Sequence, residues 1–304
     1  MLAFAIRRLL RALITLWIVV TAVFFGLRLS GDPVVVMLGP EAPAAAYDAM
    51  RERLGLNEPL PVQYAKYLEL VLQGDFGDSL REHRSAVRIV IERVPATLQL
   101  AAASLSLAVL IGIPLGVMAA LYRGSLIDRG LMLIAFLGQS VPTFVFGITL
   151  ILLFSLWLRV LPSGGKGSLE QLLMPAVTLS LFGISSLARL TRSSMLDVMQ
   201  QDFVRTARAK GLREARIVVT HVLRNAAIPV MTVFGLQIGL AISGAVVTET
   251  VFSWPGMGRL FAGAVTARDY PVIQFFIPLT AAVLVGVNLI VDLLYGVVDP
   301  RIRR

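Results

Sequence analysis

Six apolar blocks, at 9–29, 96–121, 131–158, 172–190, 226–247 and 272–298, constrain this chain more than any other feature. A helix needs about 20 consecutive apolar residues to cross the hydrocarbon core of a bilayer, and each block is close to or above that length. The chain as a whole is too poor in charge to clothe a water-facing surface: 15% of residues are charged and 57% hydrophobic, against a usual charged share of about 25%. The predicted fold class is an all-α integral membrane protein with six transmembrane helices.

Arg7, Arg8 and Arg11 precede or open the first block. Its length exceeds the roughly 7–15 apolar residues of a cleaved signal, and no small-x-small site follows, so it is expected to be an uncleaved anchor behind a tail of residues 1–8. Residues 30–95 change character, with Asp32, Glu41, Asp48, Glu52, Glu58, Glu69, Asp75 and Asp78 among prolines and glycines. They predict a long extracytoplasmic segment with helices at 47–54 and 62–72 and a proline-bounded turn at 58–61. Pro114, Pro142 and Pro278 fall inside later blocks and predict kinks there.

The net charge is +9. Its distribution reads as membrane topology rather than nucleic-acid binding, because the arginines collect at the ends of apolar blocks. With both termini in the cytoplasm, the inner pieces hold Arg123, Arg129, Arg192, Arg205, Arg208, Lys210, Arg213, Arg216, Arg224, Arg301, Arg303 and Arg304 as well as the N-terminal three. The two short outer loops hold only Arg159, Lys166, Arg259 and Arg268. Residues 96–304 form the core in this reading.

The chain has no cysteine and two histidines, His83 and His221. That composition excludes a disulfide framework and a thiolate metal site, and no metal site is predicted. Residues 163–168 are glycine-rich but lack the spacing of a phosphate-binding loop, and are expected to form a turn.

The most informative hydrophilic stretch is the cytoplasmic loop 191–225. Asp202 is placed to cap a short helix. Phe203, Val204 and Ala207 form an apolar stripe; Arg205, Arg208 and Lys210 form a basic one. Gly211 suits a left-handed position after the helix, followed by Leu212, and a second helical run covers 214–225. A helix, a glycine corner and a second helix make a rigid lever for a soluble partner; the same amphipathic helix equally suits anionic lipid headgroups. Within the spans, Gln139, Ser140, Gln237, Ser243 and Asn288 are candidates for lining a polar pathway, each with a helix–helix hydrogen bond as the competing use. Arg189 and Glu249 are expected at the membrane interface and Asp292 beside an arginine. Trp254 and Arg259, with segment 30–95, are candidates for an outer docking or gating surface.

The ordered set LSGDP (29–33), LGLNEPL (54–60), QGDFGDSL (73–80), RTARAKGL (205–212), FSWPGMGRL (252–260), RDYPVIQ (268–274) and DPRIRR (299–304) resembles the permease subunits of ABC importers for dipeptides, oligopeptides, glutathione and nickel, of the first permease type. The coupling signature of such permeases is Glu-Ala-Ala, three residues, then Gly. Arg205, Thr206 and Ala207 stand at the triplet and Gly211 at the glycine, so the glutamate is absent here. The resemblance implies a type I ABC importer permease in the bacterial inner membrane. It assigns Asp202, Phe203, Arg205, Thr206, Ala207, Arg208, Lys210 and Gly211 to coupling with an ATPase. It implies a second permease, two ATPase subunits that carry ATP and Mg2+, and an extracytoplasmic substrate-binding protein. No catalytic residue or cofactor is expected in this chain. Residues 39–60 look closer to the peptide and glutathione members, with nickel as the alternative substrate. A stand-alone secondary transporter or channel is the alternative of another class; it is disfavoured by the lack of clear internal symmetry.

Overall fold

The computed structural model describes residues 2–29, 33–39, 41–53 and 55–298, with side chains described in that set except at 2–5, 33, 36–37, 53 and 291–298. Among the described residues every extended element is a helix, and the only β pairing is one bridge between Asp78 and Ser85. In order these are α1 (Leu2–Leu29), α2 (Pro33–Leu38), α3 (Ala44–Arg53), α4 (Leu60–Gln73), α5 (Ala86–Leu107), α6 (Ile113–Leu121), α7 (Leu126–Ser140), α8 (Thr143–Leu150), α9 (Leu169–Met199), α10 (Asp202–Ala209), α11 (Glu214–Ile217), α12 (Arg224–Val251), α13 (Met257–Ala267) and α14 (Tyr270–Val298). Wide π turns join α5 to α6 (Ala108–Gly112) and α11 to α12 (Val218–Leu223), and extend α8 (Ile151–Trp157).

Five stretches are long and apolar enough to cross a membrane among the described residues: Ile6–Leu29, Ala86–Leu121, Leu169–Met199, Glu214–Val251 and Tyr270–Ile290. They lengthen the blocks expected at 9–29, 96–121, 172–190 and 226–247, because polar residues continue a helix once its apolar core has nucleated it. The block expected at 131–158 is not one kinked helix. It is α7 and α8 meeting at 104°. Val141 is extended (φ −80, ψ 124) and Pro142 precedes the first turn of α8, since a proline ring excludes the helical conformation from the residue before it. Pro114 causes no such break. It sits in the first turn of α6, directly after the π turn at Ala108–Gly112, where a missing N–H is tolerated. α14 runs through Pro278 as one helix.

α9 is the hub, packing against α5, α6, α7, α8 and α12. Against α6 the approach is close, and glycine sets the distance. A Cβ at Gly112 would lie 2.7 Å from the Ile184 carbonyl oxygen, and one at Gly116 2.5 Å from that of Ala188. The four-residue spacing puts both on one face, the small-residue device that brings membrane helices to backbone contact. Farther along, buried Asp128 on α7 accepts from both Nε and Nη2 of Arg192 at 2.6 and 2.8 Å, and from the Gly124 N–H at 2.9 Å. This pair holds the last turns of α9 in helix beyond residue 190.

α1 stands outside this hub. It packs along α14 and, near its end, on α4, where Phe24 stacks on Tyr67 at 5.3 Å. Burial pushes the Tyr67 hydroxyl up to about 12. The predicted turn at 58–61 is the start of α4: Pro59 is its N-cap residue and Pro61 lies in its first turn. Asp292 falls outside the described side chains.

Candidate functional site

The loop expected to couple to a partner is a built module. α9 ends at Met199, the chain bends at Gln200–Gln201, and α10 begins. Val204 and Ala207 are buried in a cluster with Met195, Val198, Ile217, Val218 and Val222. The helix is thereby rooted in the ends of α9 and α12 and cannot roll. Phe203 does not join that apolar stripe; its ring is 40% exposed, on the outward side with Arg205, Thr206 and Lys210. Asp202 does not cap the helix either. Gln201 holds the N-cap position without a side-chain bond, and Asp202 is the first helical residue, its carboxylate 3.5 Å from Arg205. An acid there still complements the helix dipole.

Gly211 terminates α10 as its position predicts. Its φ is +77, its N–H donates to Arg208 O at 2.9 Å, and Leu212 N–H donates to Ala207 O at 3.4 Å. These are the two bonds of a Schellman cap, and Leu212 packs back on the buried cluster. Arg208 grips Glu214 across the corner, Nε to Oε2 at 3.1 Å and Nη2 to Oε1 at 2.6 Å; the carboxylate holds the guanidinium pKa above its ordinary value. Arg208 is thus a brace of the corner, and the outward cations of α10 are Arg205 and Lys210. The Arg208–Glu214 brace escaped sequence reasoning, because it bridges two helices rather than one helix face.

The five pathway candidates do not converge. Gln139 accepts from the Arg189 guanidinium, which ties α7 to α9 and gives Arg189 a protein partner rather than an interfacial one alone. Ser140 donates to Phe136 O at 3.0 Å and Ser243 to Gly239 O at 3.0 Å, both within their own helices. Asn288 is exposed on α14. Gln237 alone is 4% exposed and lines a cavity of 250 Å³ with Ser104, Thr143, Ser180, Gly183 and Gly244, and with none of the other four.

At the opposite end of the bundle, Trp254 is 1% exposed and its Nε1–H donates to Ala96 O at 2.9 Å. Its ring is part of the core under Lys166 and presents nothing for docking. Arg259 is exposed and lines a cavity of 560 Å³ with Arg81, Arg93, Glu82 and α13. Segment 76–85 is pinned to this end, since Asp269 accepts from the Ser79 hydroxyl and from Leu80 N–H at 3.0 Å. Glu249, expected at the interface, is fully buried. It accepts from the Thr97 hydroxyl at 2.5 Å, from Arg259 N–H at 2.9 Å and from Gly258 N–H. Sequence reasoning missed the roles of Thr97, Ser79 and Asp269, whose partners lie 152 to 190 positions away. The glycine-rich 163–168 stretch is a turn, as expected, and Gly165 N–H donates to Phe252 O at 3.0 Å.

Comparison with known proteins adds a second line. Residues 112–304 match the family model "Binding-protein-dependent transport system inner membrane component", and residues 1–101 match its N-terminal companion. The di/tripeptide transport system permease protein DppB of Pseudomonas aeruginosa (strain UCBPP-PA14) is 42% identical, covering 100% of this chain and 99% of its own. The glutathione transport system permease protein GsiC of Escherichia coli (strain K12) is 43% identical, with the same shares covered. Among solved structures, an inward-facing MetNI methionine ABC transporter chain superposes with a TM-score of 0.56 at 18% identity, over 69% of this chain and 96% of that one. At that identity the likeness concerns the fold.

Proposed function

We propose, from the premise that this chain belongs to the family of inner-membrane components of binding-protein-dependent transport systems, that it is one permease subunit of an ATP-driven importer of short peptides, glutathione-like tripeptides included. The observation that carries the coupling role is the rooted α10: an apolar underside locked into α9 and α12, a Schellman-capped corner and an outward face of Phe203, Arg205, Thr206 and Lys210. A helix fixed at both ends transmits displacement, whereas one resting on lipid headgroups slides. The partners are two ATPase subunits that bind ATP and Mg2+ and seat α10, a second permease that completes the pathway, and a substrate-binding protein delivering to the Arg259 end. The relatives' names favour peptides over nickel.

Topology follows in this reading. Asp128 and Arg192 pair at the α10 end, while Gly165 bonds Phe252 at the α13 end. The chain therefore changes ends between residues 128 and 165, and the bent α7–α8 pair is the sixth span. Both termini share the cytoplasmic side with α10.

The test is purification of the tagged chain in mild detergent followed by reconstitution. A second permease and two ATPase subunits are expected to copurify. Gly211→Val forces a β-branched residue to a φ of +77, a conformation costing roughly 1–2 kcal/mol for an L-residue. It is expected to cut ATP-coupled peptide uptake at least tenfold while the chain still inserts. Recovery of the chain alone from membranes that express stable candidate partners, or full coupling in Gly211→Val, would overturn the assignment.

A further inference from the structure

Gln237 stands at the middle of α12, roughly 20 Å of helix rise from either end, and Gly183 beside it stands near the middle of α9. Both therefore lie deep within their spans, far from either end. The Gln237 side chain is buried, yet neither its Nε2 nor its Oε1 has a hydrogen-bond partner among the described residues. A carboxamide offers donors on one side and an acceptor on the other, and leaving both unmatched in a protein interior is unfavourable. A purely structural residue at this place would be served by leucine, which has similar bulk and no polar group to satisfy.

The surroundings make room for the amide without answering it. A Cβ at Gly183 would approach Oε1 to 2.9 Å, so the absence of a side chain there is what lets the carboxamide lie flat against α9. The cavity it lines has a volume of 250 Å³ and no charged residue in its wall. Ser104 and Ser180, also in the wall, each donate their hydroxyl hydrogen to a carbonyl of their own helix, Ala101 O and Val177 O, both at 2.9 Å. Their oxygens keep only acceptor capacity towards the cavity. The site thus combines one donor–acceptor pair, two acceptor oxygens, the Thr143 hydroxyl and otherwise apolar or small residues. It has nothing to neutralise a charge or to ligate a metal ion.

We propose that Gln237 recognises a substrate peptide group in transit, its carboxamide pairing with the N–H and C=O that every peptide carries whatever its side chains. The inference rests on the importer reading above and names the substrate chemistry of its pathway: a secondary amide, recognised deep within the spans independently of side-chain identity. Transient occupancy suits a neutral site. Binding through one or two neutral hydrogen bonds orients the solute without trapping it.

The experiment uses the reconstituted importer with all partner subunits and an excess of loaded binding protein. Uptake of alanyl-alanine is compared with that of its analogue methylated on the peptide nitrogen, in wild type and in Gln237→Leu. The wild type is expected to move the unmethylated peptide at least fivefold faster. In Gln237→Leu its rate should fall about tenfold, and the ratio between the two substrates should collapse towards one. Wild-type uptake in Gln237→Leu, or a fall equal for both substrates with the ratio preserved, would overturn the assignment while leaving the importer reading intact. If Gln237→Leu does not assemble, Gln237→Asn keeps the amide but withdraws it by one methylene, and the same ratio is expected to shrink; an unchanged ratio there counts against the proposal. Failure of the assembled wild type to move either dipeptide would overturn the peptide reading itself, and this assignment with it.

Discussion

Replacing Gly116 with alanine will destabilise the solubilised chain by about 1–3 kcal/mol, the usual cost of forcing a methyl group into a filled contact. The new Cβ would lie 2.5 Å from the Ala188 carbonyl oxygen and 2.6 Å from Thr191 Cβ. The first is backbone of a helix held on every side, so α6 must move away from α9. Gly112 is the same contact one turn earlier, 2.7 Å from Ile184 O, and Gly112→Ala should act alike. A control has the opposite sign. At Gly130, within α7, the place a methyl group would take has no neighbour within 4 Å, and Gly130→Ala should be neutral or stabilising by up to about 1 kcal/mol through helix propensity. Thermal unfolding of the detergent-solubilised variants, followed by size-exclusion recovery, measures all three. Equal behaviour of Gly116→Ala and Gly130→Ala would mean that α6 and α9 are not in backbone contact. Function is expected to follow stability here, because α9 continues through the bend at Gln200 into α10, and a splayed α6 removes one wall of the cluster holding Val204.

The helical class and the approximate place of each apolar stretch are legible because they rest on local sequence: length of apolar run, charge at the flanks, proline and glycine at the corners. Gly211 is the clearest case, since a glycine followed by an apolar residue after an amphipathic turn specifies its own cap. What is not legible depends on the partner across space. Residue 190 reads as the end of a span because Arg192 and Asp197 follow, yet α9 runs to Met199, with Arg192 matched by Asp128 from a different helix. Phe203 reads as part of the buried stripe of α10 because it lies four residues from Ala207, but the face turned to the cluster is the one Val204 and Ala207 share. Pro142 announces a distortion without its size. The size comes from Val141 leaving helical geometry altogether, where the π turn ahead of Pro114 keeps that helix continuous. For the pathway candidates, polarity within a span is the only signal the sequence offers. It does not separate Ser140 and Ser243, satisfied by their own helices, from Gln237, which is not.

Glu249→Ala is expected to unlatch α13 from the end of the bundle. The first turn of a helix leaves backbone N–H groups without partners, and the N-cap residue of α13 is Gly256, which has no side chain to supply one. The acceptors come from elsewhere: Glu249 takes Gly258 N–H and Arg259 N–H, the latter at 2.9 Å, and Thr97, itself bonded to Glu249, takes Met257 N–H at 2.9 Å. A carboxylate there also meets the positive end of the helix dipole. Two glycines permit the approach. A Cβ at Gly256 would fall 2.1 Å from Glu249 Oε1, and one at Gly258 2.6 Å from Val246 Cα. Removing the carboxylate leaves the Gly258 and Arg259 amides and the Thr97 hydroxyl without their acceptor, at about 1–3 kcal/mol for each buried donor, so the loss exceeds that of any single packing change considered above. Glu249→Gln keeps one carboxamide oxygen but turns an NH2 towards a backbone donor, and should fall between alanine and wild type. Hydrogen exchange at residues 257–259 reads the effect directly: protection should drop by roughly two to three orders of magnitude in Glu249→Ala and by less in Glu249→Gln. Unchanged protection in the alanine variant would mean that α13 is held by packing of Met257 and Ala264 alone. Because α13 forms a wall of the cavity that Arg259 lines, the same variant should also lose uptake, with α10 and its coupling surface left in place at the other end of the molecule.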